Sequence, residues 1–354
     1  MSAAELSQRL AAVLAPTLGP VAVEGLRKLS GGASRSTWAF DAVGASGRRP
    51  LILRSGPADA LHASMESEAR AQSAAAAAGA PVPSIIAADD SPVALGDPYL
   101  ICAAVDGETI ARRIFRRLDA GVPARATLLA QCAQAVAAIH RVDPDVAEPP
   151  VGDQLAVWRA QLDALTAPGD TTAVFEWALR WLEAHRPPAA PATLVHGDFR
   201  IGNLIVDDTG LAAVLDWELM HRGAATEDLA WFCLRAWRFG APAELAAGGL
   251  GSVEDFLHGY ERAAAATVDR TEFHWWLVLG TLRWGVICRY QAERHLSGQV
   301  RSVELATIGR RVAETEWDLL TLLAPTTPVP AAAPQPEPDR AAGYGRSEEH
   351  TSEL

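Results

Sequence analysis

No stretch of this 354-residue chain is both long and apolar enough to span a bilayer. The nearest approach, WWLVLGTLRW, is short and carries Arg283. Basic charge is the minority: 31 Lys and Arg stand against 43 Asp and Glu, a net charge of −12. That balance argues against nucleic acid or an anionic membrane as the main partner, while permitting a cationic one. Cysteine is scarce too. The four present (Cys102, Cys132, Cys233 and Cys288) are far apart and form no C-x-x-C pair. This spacing excludes a disulfide framework or a zinc site and suits buried thiols in a reducing compartment. The N-terminus MSAAELSQRLAAVLAPTLGP has no basic leader region and holds Glu5 and Arg9, so it does not read as a signal peptide. Leu6, Leu10, Val13 and Leu14 share one helical face, which predicts an amphipathic helix within residues 1–20. A cytoplasmic protein is expected.

With 49% hydrophobic and 21% charged residues, the chain can build two packed lobes. Residues 21–103 read as a small strand-rich unit. GLRKL, STWAF, PLILR, SIIAAD and PYLIC are strand-like, and HASMESEARAQSAAAAAG is a helix closed by Gly79 and PVP. Residues 104–324 read as a larger helical unit, with helices near 124–140, 153–166, 171–185, 226–238, 252–266, 270–294 and 301–323. An α+β, two-lobed architecture follows. Residues 325–345 are rich in Pro and Ala and predict a tail without a core. The last nine, RSEEHTSEL, match codon for codon a translation of the common sequencing adapter AGATCGGAAGAGCACACGTCTGAACTC, so residues 346–354 read as an artefact.

Within the helical unit lies LVHGDFRIGNLIVDDTGLAAVLDWE. LIV and LAAVL flanking DDTG write a β-hairpin. A hairpin needs nothing from the polar residues around it, yet Asp198 and Asn203 precede it and Asp216 follows. One Asp can accept or orient the proton of an attacking hydroxyl, and a carboxylate and an amide oxygen are the hard ligands that Mg²⁺ takes. Single Asp and Asn residues are common turn formers. At this combined spacing they predict a phosphoryl-transfer site at the open end of the hairpin.

The same stretch resembles the signature of the aminoglycoside phosphotransferase and choline kinase superfamily, whose fold is protein-kinase-like. The likeness runs from about Val21 to Leu323. DWELMHRGAATEDLAW and RSVELATIGRRVAETEWDLL point to the branch related to the kinase-like module fused to some acyl-CoA dehydrogenases. The resemblance implies that Asp198 is the catalytic base and that Asn203 and Asp216 are magnesium ligands. It further implies that His196 and Arg200 order the loop and that Asp228 anchors the following helix to it. Where the family often has Asp-Pro after the glycine at Gly223, this chain has Ala224-Ala225, a departure that touches a local helix start and not the metal site.

The other lobe is then expected to hold ATP. LSGGASRSTWAF is a glycine turn through which backbone N–H groups, at Gly32 and Ser34, can approach phosphates. PLILR supplies a strand cation, Arg54, where the superfamily commonly has Lys; arginine keeps the charge and can grip a phosphate or carboxylate with two hydrogen bonds. The resemblance makes Glu68 its expected partner, because its distance to PVP matches the family, with Glu66 as the alternative. RRIFRRL sets Arg112, Arg113, Arg116 and Arg117 on one side of a helix. Such runs are usually solvated faces, and the functional alternative is an anion patch beside the cleft. Most of the eleven tryptophans are assigned to core packing, and His140 to packing at a helix end. The resulting expectation is an ATP- and Mg²⁺-dependent kinase of a small-molecule hydroxyl. Its acceptor is either hydroxyacyl-CoA-like or an aminoglycoside or amino-alcohol. A nucleotide-binding pseudokinase is the rival reading, and a protein kinase is disfavoured because no DFG and no APE-ended segment is present.

Overall fold

The computed structural model describes residues 2–29, 35–58, 62–147, 152–167 and 172–324. The first lobe comprises α1 (Ala3–Leu18), β1 (Val21–Lys28), β2 (Ser36–Gly44), β3 (Gly47–Ser55), α2 (Met65–Ala77), β4 (Ile85–Asp89) and β5 (Tyr99–Ala103). Its strands form one antiparallel sheet in the order β1-β2-β3-β5-β4. Leu6, Leu10 and Leu14 of α1 cover one face, packing with Phe40, Leu51, Leu53 and Ile101. Side chains alternate along a strand, so Ile52, Arg54 and Cys102 must project from the other face. There α2 packs through Met65 against Leu100 and Cys102.

The second lobe runs through α3 (Ala111–Asp119), α4 (Arg125–His140), α5 (Gln154–Ala164), α6 (Ala173–Ala184), β6 (Thr193–Val195), β7 (Leu204–Val206), β8 (Leu211–Val214), β9 (His221–Gly223), α7 (Ala225–Phe232), α8 (Val253–Ala264), α9 (Arg270–Leu296), α10 (Val303–Gly309) and α11 (Val312–Leu323). Two sequence expectations are corrected. The helix expected over 226–238 stops at Phe232 because Leu234 leaves helical geometry (φ −59°, ψ 139°), and a 3₁₀ turn covers Arg235–Arg238. Six residues along an unbroken helix would rotate Trp237 well away from Trp231; the break instead brings the two rings to 5.4 Å between centroids, tilted by 53°. The helix expected over 301–323 divides at Arg310 and Arg311, where Gly309 sits so close that an added Cβ would lie 2.5 Å from Ala292 Cβ.

The β7–β8 hairpin forms as read, with Asp207 Oδ1 accepting from Thr209 N (2.7 Å) and Gly210 N (3.0 Å) across the turn. Gln131 of α4 clamps that turn from outside, accepting from Leu211 N and donating to Thr209 O. Toward the open end, Leu215 N donates to Asn203 O at 2.8 Å, and Val214 N donates to Pro81 O at 2.8 Å. The hairpin is therefore tied to both lobes. Among the described residues no helix is long and apolar enough to cross a membrane.

Gly285 marks where α6 and α11 close on α9: an added Cβ would stand 2.6 Å from both Phe175 Cε1 and Thr315 Oγ1. Phe175 and Thr315 are buried and cannot give way cheaply. Gly285→Ala should thus lower the thermal midpoint, overpacking at about 1–3 kcal/mol exceeding the helix-propensity gain of about 1 kcal/mol. A raised midpoint in a thermal melt would show that this contact is loose.

Candidate active site

The site is assembled around one buried carboxylate. Asp228, on the first turn of α7, accepts from His196 N at 2.7 Å and Gly197 N at 2.9 Å. His140 Nε2, at the end of α4, lies 3.1 Å from the same carboxylate, and His140 Nδ1 lies 3.0 Å from the Tyr260 hydroxyl. Burial opposes ionisation of Asp228, but the hydrogen bond and proximity of His140 and the amide of His196 outweigh it, holding the carboxyl below its usual range. His140, which the sequence assigns to packing, also bonds the carboxylate that shapes the loop. Gly197 is required here: its φ is +82°, and a Cβ would fall 2.3 Å from Leu219 O.

His196 is fully buried, and that burial pulls its imidazole below the ordinary histidine range despite the neighbouring carboxylates. Its neutral form has one donor. Nε2 faces Leu215 O at 3.0 Å, so Nε2 carries the proton and Nδ1 accepts from Asp198 N at 3.2 Å. The ring thereby links the loop before the hairpin to the strand after it.

Asp198 presents its carboxylate to three donors. Arg200 Nε is 3.0 Å from Oδ1, Trp231 Nε1 is 2.7 Å from Oδ1, and Asn203 Nδ2 is 2.7 Å from Oδ2. Asn203 Nδ2 also donates to Asp198 O at 2.9 Å. Two acceptors on that side fix the amide orientation and turn Asn203 Oδ1 away, with no hydrogen bond to it from a described residue. Trp231 rests in turn on Arg283, whose guanidinium lies 4.4 Å from the ring centroid and bonds Glu227 Oε1 (3.0 Å) and Gly197 O (3.1 Å).

Asp216 follows β8 with φ +66°, a left-handed conformation that Asp tolerates better than most residues. The next residue, Trp217, is fully buried with its ring 4.9 Å from that of His196, so Asp216 and Glu218 on either side both turn toward the first lobe. There Arg54 reaches Glu68 Oε2 (3.0 Å), Asp216 Oδ1 (2.8 Å) and Glu218 Oε2 (3.3 Å). Burial alone would loosen the proton on Arg54, and the three carboxylates reverse this. Burial pushes the Glu68 carboxyl up against the pull of Arg54 and of Arg35, which bonds its other oxygen. Glu66 is exposed on the far side of the turn.

A cleft of about 950 Å³ separates the lobes, lined by Arg54, Asp198, Arg200, Asn203 and Asp216. His196 and Glu68 lie buried behind it. Gly32 and Ser34 fall outside the described residues. Arg112, Arg113, Arg116 and Arg117 do not line the cleft. Arg113 pairs with Glu108 and Arg117 with Asp208, which leaves Arg112 and Arg116 on an exposed face. Sequence reasoning gave no role to Arg35, Glu218, Trp231 or Arg283. Trp231 had a usable signal: it stands three residues after Asp228 and so shares its helix face.

Among known proteins, the chain is 28% identical over 307 residues to acyl-CoA dehydrogenase family member 10 of Mus musculus, an alignment covering 77% of this chain and 27% of the relative. It is 30% identical over 234 residues to family member 11 of Gallus gallus, covering 60% and 28%. The chain thus spans about a quarter of the length of these relatives. Among solved structures it resembles a Ralstonia eutropha protein assigned to the aminoglycoside phosphotransferases (TM-score 0.69, 21% identity, 90% of this chain and 98% of that one). It also resembles a choline/ethanolamine kinase family protein from Mesorhizobium loti (TM-score 0.58, 18% identity, 91% and 96%). A third is a thermostable variant of the aminoglycoside phosphotransferase APH(4)-Ia in ternary complex with AMP-PNP and hygromycin B (TM-score 0.58, 17% identity, 90% and 99%). These likenesses make the two lobes a protein-kinase-like fold. The APH phosphotransferase enzyme family model matches residues 25–266, a span that holds Arg54, Glu68, Asp198, Asn203, Asp216 and Asp228 but not α9, and the chain belongs to that family.

Proposed function

We propose that this protein transfers the γ-phosphoryl group of ATP to an alcohol group of a small molecule, with Mg²⁺ as the metal. The observation that carries this reading is the convergence of Asp198, Asn203, Asp216 and Arg54 on one cleft. Asp198 would orient the acceptor hydroxyl and take its proton. Its three donors hold the carboxylate in one rotamer, which is the pre-organisation that phosphoryl transfer rewards. Arg54, gripped from behind by Glu68, would hold phosphate oxygens with the guanidinium edge that now meets Asp216. The apolar wall of Leu29, Ile52, Val105, Ile205 and Leu215 suits a purine base.

The donor set fits magnesium. Among the described residues no group of three or more His, Cys, Asp or Glu forms a metal cage, and Mg²⁺ does not ask for one. It takes one or two protein oxygens and completes its octahedron with water and phosphate. Asn203 Oδ1 and the Asp216 carboxylate would supply those oxygens, and the bound ion would neutralise charge building on the phosphates.

For the acceptor, the hydroxyacyl-CoA-like class is favoured over aminoglycosides and amino-alcohols, because the sequence relatives are named as acyl-CoA dehydrogenase family members. An ATP-consumption screen across hydroxyacyl-CoAs, aminoglycosides and choline tests the reading. Mg·ATP binding without turnover on any acceptor would support the pseudokinase alternative.

Asp198→Ala should lower kcat by about 10²–10⁴ while Mg·ATP still binds, as expected for loss of a general base. Turnover at the wild-type rate in a single-turnover assay would remove Asp198 from the chemistry. Arg54→Ala should raise the KM for ATP and lower kcat, with Arg54→Lys recovering part of both because the charge remains; steady-state kinetics at varied ATP reads this directly. Trp231→Phe keeps the ring over Arg283 and deletes only the N–H on Asp198. A hydrogen bond to a charged group is worth about 1.5–3 kcal/mol, so kcat should fall by roughly tenfold or more with the KM for ATP unchanged. An equal loss in thermal stability and no change in kcat would make Trp231 a packing residue only.

A further inference from the structure

The cleft is lined by four arginines, and they divide into two pairs by their partners. Arg35 and Arg54 are saturated by Glu68, Asp216 and Glu218. Arg200 and Arg294 are not. Arg200 gives Nε to Asp198 and lays its guanidinium 4.8 Å from the Trp237 ring, and its two Nη atoms meet no partner among the described residues. Arg294, near the end of α9, donates Nη1 to Gln291 Oε1 at 3.2 Å. Its Nε is buried without a hydrogen-bond partner, and no carboxylate of the described residues pairs with it. The chain carries a net charge of −12, yet in this cleft Arg294 has no carboxylate partner among the described residues, and Arg200, paired with Asp198 through Nε alone, keeps both Nη atoms unpartnered.

Their placement is not accidental to the helix. Ile287 belongs to the Trp231–Trp237 cluster beneath Asp198, and Tyr290, Gln291 and Arg294 continue the same face by steps of three and four. Tyr290, Gln291 and Arg294 all line the cleft. Seven residues of α-helix advance about 10 Å, so Arg294 lines the cleft at a distance from the Trp231–Trp237 cluster that Ile287 joins. A cationic acceptor would meet repulsion there.

We propose that Arg200 and Arg294 form an anion subsite on the acceptor side of the cleft, so that the acceptor carries a carboxylate or phosphate several bonds from the hydroxyl presented to Asp198. The inference rests on the phosphotransferase reading for the word acceptor, while the subsite itself is a binding property that can be measured without turnover. Arg200 supplies the charge beside Asp198 and Arg294 supplies the second.

The test is calorimetry on the full chain with three probes: coenzyme A, 6-hydroxyhexanoate and its neutral analogue 6-hydroxyhexanamide. Wild-type protein should bind at least one anionic probe more tightly than the amide. Arg294→Glu should weaken that probe at least tenfold, Arg294→Lys should retain part of the affinity, and the Kd for Mg·ATP should stay within about twofold. Arg294 is half-buried near a helix end, and Arg294→Gln provides a charge-neutral variant should the reversal disturb folding. A response to coenzyme A assigns the subsite to phosphate, and a response to 6-hydroxyhexanoate assigns it to carboxylate. The proposal is overturned if neither anion outbinds the amide, or if Arg294→Glu leaves both anions unaffected. It is equally overturned if Mg·ATP binding falls in parallel, which would hand Arg294 to the nucleotide. Anion binding that depends on Arg294 in a protein that phosphorylates nothing would instead sink the phosphotransferase reading and leave the subsite standing.

Discussion

The arrangement of the cleft depends on the buried carboxylate of Asp228. It is the point where α7, the end of α4 and the loop before the hairpin meet, because its oxygens accept from the amides of His196 and Gly197 and lie against His140. An ionised carboxylate is costly to bury unless its lone pairs are filled, and here three groups from two other elements fill them. That requirement sets the backbone of residues 196–198. The positive φ of Gly197 then turns Asp198 into the cleft. Trp231, one turn along α7 from Asp228, closes the circuit by donating to Asp198 itself. One helix therefore holds both the backbone leading into Asp198 and the side chain of Asp198.

The two sides of the cleft treat charge differently. On the first-lobe side, two arginines and three carboxylates compensate one another, and Arg54 touches Asp216 directly. On the proposed function, a nucleotide and its metal would enter by exchange, with phosphate replacing carboxylate on the arginine and the metal replacing arginine on the carboxylate. Such exchange keeps the count of buried unpaired charges low at each stage. On the second-lobe side, Arg200 and Arg294 face the cleft with donors to spare. On the proposed function, this electrostatic asymmetry within one cavity would separate a metal-and-phosphate region from a region suited to an anionic organic molecule.

The residues legible in the sequence were those whose partners are close along the chain. Asp198, Asn203 and Asp216 belong to one hairpin, and the tie from Leu215 N to Asn203 O is a consequence of that hairpin closing. Arg54 and Glu68 were legible by order, strand then helix, and the structure sets them 3.0 Å apart. The fold class followed from the shift between strand-like and helix-like periodicity near Ala103. Helical spacing, however, reports which residues share a face and not what the face meets. The RRIFRRL helix has its arginines on one side, and two of them point at Glu108 and Asp208 and none at the cleft. Likewise the interruption at Cys233 and Leu234 has no local breaker; it accompanies the tilted packing of Trp237 against Trp231.

By itself, then, the sequence determined the two-lobed plan, the hairpin and the polar residues at its open end, since hydrophobic period and turn chemistry act over a few residues and are written locally. Tertiary structure alone decided that His140 reaches Asp228, that Trp231 and Arg283 stand behind Asp198, and that Arg294 has no carboxylate partner among the described residues. These outcomes join residues separated by 33 to 88 positions in the hydrogen-bonded pairs Trp231–Asp198 and His140–Asp228. Whether a charge is paired or a donor satisfied depends on what other elements bring within about 3 Å, and that is settled only when the helices have packed.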